Sequence, residues 1–476
     1  MLFNSWIFLG FMPLVFLLYW LVFNKTIRLQ NGFLTFASFV FYGWWSIRFL
    51  QLLFLSLLVD FSVGLLLENA KKQCLRKLLI TFSIFFNIGL LCFFKYFNFF
   101  ADSLKEFLLL FGMKPDFVTL DILLPVGISF YTFQSLSYTI QVYRGKMRAT
   151  KDIIAYAAYI SFFPQLVAGP IEKATHFLPQ FQTKRRFNYQ QASQGMKLIL
   201  WGYFKKVVIA DTCAFYADMT FNNIHNFSGQ DLIMGAIYFS FQIYCDFSGY
   251  TDIARGLAKL LGFELIVNFR YPYFSRNIVE FWRRWHISLS TWFRDYLFIP
   301  LGGSYSTLAV TIRNIFVVFL ISGLWHGANV TFIVWGLLHA FYYLSLLLFN
   351  KTTSTLKEII ADKRTFPSIN ELTSMLFTFM LVTIAWVFFR AHTVGEAFDY
   401  LQGMLNITGF SLIGKRDALI LVLVLLAIEW LGRHNTSALE ELIGRVPRWR
   451  YLIYIVIGLL ILTNFSKEAS FIYFQF

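Results

Sequence analysis

The strongest limit on how this chain can fold is a succession of apolar runs, many of them about as long as a lipid bilayer is thick. They lie at residues 3–23, 33–45, 48–67, 78–100, 122–142, 153–168, 193–210, 232–250, 308–325, 329–349, 371–390, 416–432 and 452–464. A spanning helix needs about 20 such residues, so several runs suffice alone, while the shorter ones would be tilted, re-entrant or buried by neighbours. Hydrocarbon offers backbone polar groups no partner, which leaves helical bundles and closed barrels. Runs without ten-residue alternation select helices. The expectation is an all-α polytopic integral membrane protein with about 11–13 membrane segments and interfacial helices. No linker, low-complexity tract or fixed-period repeat divides the chain, and the most polar stretches, 172–191 and 350–370, are of loop length. Residues 1–476 therefore read as one polytopic domain.

Composition agrees. Hydrophobic residues make up 58% of the 476 positions and charged ones 14%, against about 25% charged in soluble domains. A water-soluble fold has too few charges here to cover that much apolar surface, of which Phe, Trp and Tyr alone are 20% of the chain. Disordered, collagen-like and disulfide-stapled classes fail on the same figures. Lys and Arg outnumber Asp and Glu by 41 to 26, a net charge of +15. The excess sits in short clusters between apolar runs: Lys71-Lys72 with Arg76-Lys77, Arg144 to Lys151, and Lys184-Arg185-Arg186. That is the pattern of cytoplasmic loops beside anionic lipid, and it makes membrane lipid, not nucleic acid, the expected partner. Alternating the loops places the N-terminus outside. The first run, Leu2 to Phe23, has no basic leader and is long enough to span, so it reads as a retained helix. Cys74, Cys92, Cys213 and Cys245 show no metal-type spacing and read as small apolar packing residues, with no metal expected.

Ionisable residues in or beside apolar segments carry the functional information, because hydrocarbon tolerates them only when paired or wet. Three clusters stand out. In Ile321-Ser322-Gly323-Leu324-Trp325-His326-Gly327-Ala328-Asn329, His326 falls where two apolar runs meet. Gly323 and Gly327 have the spacing that lets another helix approach closely. His326 is either a satisfied hydrogen-bonder in a packing motif or a general base, the role a neutral imidazole suits. His339, thirteen residues on, would lie about 20 Å along a continuous helix on a different face, and reads as structural. In Glu280 to Tyr296, the spacing of Phe281, Trp285, Leu289, Trp292 and Tyr296 gives one aromatic face of an interfacial helix. Its other side carries Arg283 and Arg284. This is a membrane-surface anchor, or a cavity mouth where His286 and the arginines meet an anionic, phosphate-bearing thioester. In Tyr244 to Gly256, Asp246, Asp252 and Arg255 end an apolar span, and Asp252 and Arg255 are spaced to neutralise each other.

These clusters also carry a family likeness. Asp246-Phe247-Ser248-Gly249-Tyr250, Asn268-Phe269-Arg270-Tyr271-Pro272-Tyr273 and Phe281-Trp282-Arg283-Arg284-Trp285-His286-Ile287-Ser288-Leu289-Ser290 closely resemble the membrane-bound O-acyltransferase family, in its bacterial alginate O-acetyltransferase-like branch. Thr291 to Leu297, Ile299-Pro300-Leu301-Gly302-Gly303, Gly323 to Gly327 and the final Phe471-Ile472-Tyr473-Phe474-Gln475-Phe476 continue the likeness. Upstream, Pro125 to Tyr131 and Phe163 to Ile171 extend it over most of the chain.

The resemblance implies a ring of membrane helices around a tunnel joining cytosolic and extracytoplasmic funnels, in the bacterial inner membrane. It makes His326 the catalytic histidine and His286 its active-site partner, with Arg283, Arg284, Ser290, Trp325 and Asn329 as candidate substrate contacts. It implies no bound cofactor: acetyl-CoA or a carrier-bound acyl thioester is the donor substrate. An exported partner acetyltransferase then places the acyl group on a polysaccharide such as alginate. His286 would orient the donor, polarise its carbonyl or assist proton transfer, and the residues leave these three open. Asp246, Asp252 and Arg255 would be supporting or structural. Three alternatives stand beside this: the D-alanine transferase of teichoic acid modification in the same family, a transporter or flippase for a lipid-linked sugar, and a non-catalytic scaffold.

Overall fold

The computed structural model describes residues 1–113, 123–167, 169–305, 307–349, 359–362, 364–407, 416–465 and 471–472, and all regular structure among them is helical. Every apolar run of the sequence contains helix. Among the described residues, five helices are long and apolar enough to cross a membrane alone: Ile47–Asn69, Gln73–Leu110, Leu308–His326, Val330–Leu348 and Ile369–Arg390. A sixth span results if Ala438–Arg445 and Pro447–Asn464, bent 108° to each other, count as one. Other runs form shorter apolar helices, such as Trp6–Val22 and Ile153–Leu166, which need neighbours or tilt to cross. Beyond the apolar run 78–100, residues 101–110 continue the helix Gln73–Leu110, and residues 114–122 lie outside the described residues. The polar stretch 350–370 lies partly outside them as well.

The chain divides into two compact units, residues 1–196 with 254–266, and residues 197–253 with 267–476. In the first, α1 (Trp6–Leu17), α2 (Ile27–Gly43), α3 (Ile47–Asn69), α4 (Gln73–Leu110), α5 (Ile128–Tyr143) and α6 (Ile153–Ser161) follow in order. Some polar side chains inside this unit bond to one another. Asp60 of α3, fully buried, accepts from Ser83 Oγ at 2.7 Å and Asn87 Nδ2 at 2.8 Å, both on α4. Burying an unpaired carboxylate would be far more costly than burying one so bonded. Arg185, from a cluster read as a basic loop, is buried instead and donates to Tyr19 Oη at 2.9 Å and Asn31 Oδ1 at 2.7 Å. α5 starts after Gly127, whose φ of 76° is left-handed, and a Cβ there would overlap the Leu166 carbonyl oxygen.

The second unit contains the end of α7 (Tyr189–Tyr203) and most of α8 (Gly229–Leu260). It continues with α9 (Ile278–Arg284), α10 (Ile287–Phe293), α11 (Leu308–His326), α12 (Val330–Leu348) and α13 (Ile369–Arg390). α11 and α12 form a tight hairpin, because Gly327 leaves the helix in extended conformation and Asn329 caps the next one through Thr331 N–H at 3.0 Å. The close approach expected from Gly323 is present. A Cβ on Gly323 would overlap the Phe332 carbonyl oxygen, and one on Gly336 the Phe319 carbonyl oxygen. Gly336→Ala should therefore destabilise the protein by about 1–3 kcal/mol, the usual cost of overpacking. Gly89→Ala, where a Cβ meets nothing within 4 Å, should not. Thermal unfolding of both variants in detergent checks the contrast.

Candidate active site

The interfacial helix expected through residues 281–296 is not continuous. α9 ends at Arg284, Trp285 is extended, and His286 takes φ 43° and ψ 53°, the left-handed region, before α10 begins at Ile287. No proline or glycine causes this break. A left-handed non-glycine residue costs about 1–2 kcal/mol, and the offset comes from the segment Asn268–Arg270. The Asn268 carbonyl accepts from Ile287 N–H at 2.9 Å, and its Oδ1 accepts from Ser288 N–H at 3.1 Å and Ser288 Oγ at 2.9 Å. Arg270 N–H donates to the Arg284 carbonyl at 2.9 Å. One asparagine thus satisfies backbone donors freed by the break, which are obligatory groups once buried.

The break turns His286 fully inward, away from the exposed mouth the sequence reading gave it. Its ring packs on Phe247, with centroids 4.7 Å apart, and on Trp325 at 5.9 Å, while Nδ1 faces Asn268 Oδ1 at 3.3 Å. Burial pushes its pKa down to about 3, so the imidazole is neutral at physiological pH. His326 is the last residue of α11 and is also buried. Trp325, Trp335 and Phe389 surround it at 4.9, 4.9 and 5.2 Å. Trp325 therefore contacts both histidines.

His339 is placed differently from expectation. The chain reverses at residues 327–329, so no continuous helix separates His326 from His339, and both rings contact Trp335, His339 at 5.0 Å. The length along one helix is then no measure of their separation.

A cavity of about 450 Å³ opens beside these groups. Its walls include Trp282, Phe319 and Tyr343, with Arg283, Arg294 and Ser290 as polar groups. It also touches Ile287, next to His286, and Ser322, one turn before His326. Of the candidate contacts, Arg283 and Ser290 line it. Arg284 is instead committed to Glu280 at 2.7 Å, and Asn329 caps α12 and donates to the His392 carbonyl at 2.8 Å. Asp252 also has a partner on another element: it binds Lys205 at 2.7 Å. Lys206 holds Asp246 and Asp211, each at 2.8 Å, and Asp246 also accepts from Ile472 N–H at 2.6 Å. Both lysines are buried in the π-helical stretch Phe204–Ala210 that follows α7. Residues 473–476 of the final motif lie outside the described residues.

Sequence reasoning overlooked Asn268, Arg294, Lys205 and Lys206. Arg294 lies within the stretch Glu280 to Tyr296 that the sequence singles out, which was a usable signal. The lysines were legible as ionisable residues inside an apolar run. Asn268 acts through a tertiary contact that has no sequence period.

A buried imidazole pair beside a cavity with guanidinium groups, in an all-helical membrane protein, suits acyl chemistry on an anionic donor. Comparison with known proteins makes the class definite. Residues 39–388 match the membrane-bound O-acyltransferase family. The chain is 41% identical to the probable alginate O-acetylase AlgI of Pseudomonas aeruginosa, over 85% of this chain and 75% of that protein. It is 36% identical to the peptidoglycan O-acetyltransferase of Helicobacter pylori, over 87% of this chain and 81% of that one. It is 30% identical to the teichoic acid D-alanyltransferase of Bacillus subtilis, over 45% and 57%. The chain belongs to the membrane-bound O-acyltransferase family and is a multi-pass membrane O-acyltransferase.

Glu280 anchors α9 beneath this site, bonded to Arg276 at 2.9 Å and to Arg284 at 2.7 Å. Burial alone would raise its carboxyl, but the hydrogen bonds and charges of the two arginines outweigh burial and hold it below the ordinary 4.5. A depressed carboxylate stabilises the fold fully above its unfolded value, and that contribution is lost as pH falls through the lower folded value. Melting temperature should therefore drop below pH 4.5 in the wild type. Glu280→Gln should lose about 3–5 kcal/mol at neutral pH, because it removes the carboxylate charge that Arg276 and Arg284 share, and should flatten that acid limb.

Proposed function

We propose that the protein moves an acyl group, acetyl in the first instance, from a cytosolic thioester across the bacterial inner membrane. There an exported partner acetyltransferase places it on an exocellular polysaccharide such as alginate. The observation that carries this reading is the contact of both His286 and His326 with Trp325, beside a cavity that reaches chain neighbours of both. Arg283 and Arg294 suit the phosphates of acetyl-CoA or of a carrier-bound phosphopantetheine, which guanidinium groups bind through charge-assisted hydrogen bonds. The apolar wall suits the arm between phosphate and thioester.

His326 acts as the base. Its lone pair takes the proton of the attacking hydroxyl, the oxygen bonds to the carbonyl carbon, the C–S bond breaks, and the departing sulfur recovers the proton. A buried, water-poor site favours this sequence over hydrolysis. The alginate and peptidoglycan O-acetylating relatives align over most of the chain and favour acetyl as cargo, whereas the D-alanyltransferase aligns over less than half.

Cells carrying His326→Ala at wild-type membrane levels should export polymer normally with acetyl ester content reduced at least about 10²-fold. Ester content equal to wild type would remove His326 from the reaction. Loss of polymer export itself would favour a flippase for a lipid-linked sugar.

A further inference from the structure

His286 has three roles open to it by chemistry: orienting the donor, donating to the thioester carbonyl, or accepting a proton. Which of its nitrogens carries the hydrogen decides between the last two. That assignment follows from three neighbouring groups.

Ser288 N–H can only donate, so the Asn268 atom facing it at 3.1 Å is the amide oxygen and not the nitrogen. The same oxygen faces His286 Nδ1 at 3.3 Å. Among the described residues, the one group able to donate to Nδ1 is Ser288 Oγ, 3.4 Å away, but its proton is engaged by Asn268 Oδ1 at 2.9 Å. Nδ1 thus meets two acceptors, the amide oxygen and the hydroxyl lone pairs, and must itself be the donor. A neutral imidazole has one N–H, so Nε2 carries a bare lone pair. Nε2 is buried and has no hydrogen-bond partner among the described residues. Leaving such an atom unmatched is costly, and a ligand bearing a hydroxyl or thiol proton would satisfy it.

We propose that Asn268 is a positioning residue that holds His286 in the Nδ1–H tautomer, so that His286 enters the reaction as an acceptor at Nε2 and has no proton to offer a thioester carbonyl. This rests on the acyl-transfer reading above. In the transfer, one proton leaves the attacking hydroxyl as oxygen bonds to the carbonyl carbon, and one proton joins sulfur as the C–S bond breaks. His326 takes and returns that proton, and Nε2 of His286 accepts a hydrogen bond from the thiol formed when the C–S bond breaks, so both rings end neutral.

The tautomer is read directly by nitrogen NMR of the full chain in detergent with labelled histidine, the His286 signals being those absent from His286→Gln. Protonated Nδ1 with unprotonated Nε2 is expected, and the reverse pattern overturns the proposal. Activity supplies the second arm. Asn268→Leu should lower the transfer rate about 10²-fold at unchanged KM, as loss of a correctly oriented acceptor would. Asn268→Asp keeps an oxygen acceptor, so it should retain transfer, and its negative charge should move the acid limb of the rate profile to higher pH. A wild-type rate in Asn268→Leu, or an unmoved profile in Asn268→Asp, contradicts the positioning role. If Asn268→Leu does not accumulate, the Asp variant and the NMR pattern decide alone. Full transfer by His286→Ala would instead sink the acyl-transfer role of His286 and leave the tautomer standing as a structural fact.

Discussion

The site depends on how the chain stops one helix and starts another at His286 without leaving buried backbone groups unsatisfied. α9 and α10 are separated by a left-handed residue that is fully buried. Asn268 supplies both its carbonyl and its side-chain oxygen to the donors of residues 286–288. The strain at His286 is tolerable only because these bonds exist, and the inward aim of the imidazole is their consequence. A single unbroken helix would carry His286 on the same outer side as the arginines.

Close packing sets the other half of the site. The hairpin of α11 and α12 approaches through glycines, which brings His326 against Trp335 and places Trp325 beside His286. Large rings then continue the wall: Trp285 packs on Trp386 at 5.1 Å, and Trp386 stacks on Trp335 at 5.8 Å. Behind His286, Phe247 leans on its ring while the preceding Asp246 bonds to Lys206 and to the backbone of Ile472. Rigid rings and buried, paired charges give the two imidazoles fixed positions, which is what transfer between bound groups requires.

Much of this was legible in the amino-acid order. Apolar length alone selects membrane helices, and His326 falls at the junction of two apolar runs. The glycine spacing around it anticipates the close approach. What was not legible is tertiary. The aromatic period from Phe281 to Tyr296 fits one helix, yet hydrogen bonds from Asn268 break it, and no local propensity signals that competition. His339 was misplaced for the same reason, since counting residues assumes one continuous helix and the chain turns back after His326. Arg284 and Arg283 are adjacent in sequence, and only the position of Glu280 one turn away separates a structural guanidinium from one at the cavity.

The central claim is that the histidine pair passes an acyl group from one face of the membrane to the other. The most direct measurement uses inverted inner-membrane vesicles given acetyl-labelled thioester on the exposed cytosolic face. Wild-type vesicles should accumulate ester-linked label in the lumen, and vesicles carrying His326→Ala, matched in protein, should not. Equal lumenal ester label in the two preparations would contradict the account.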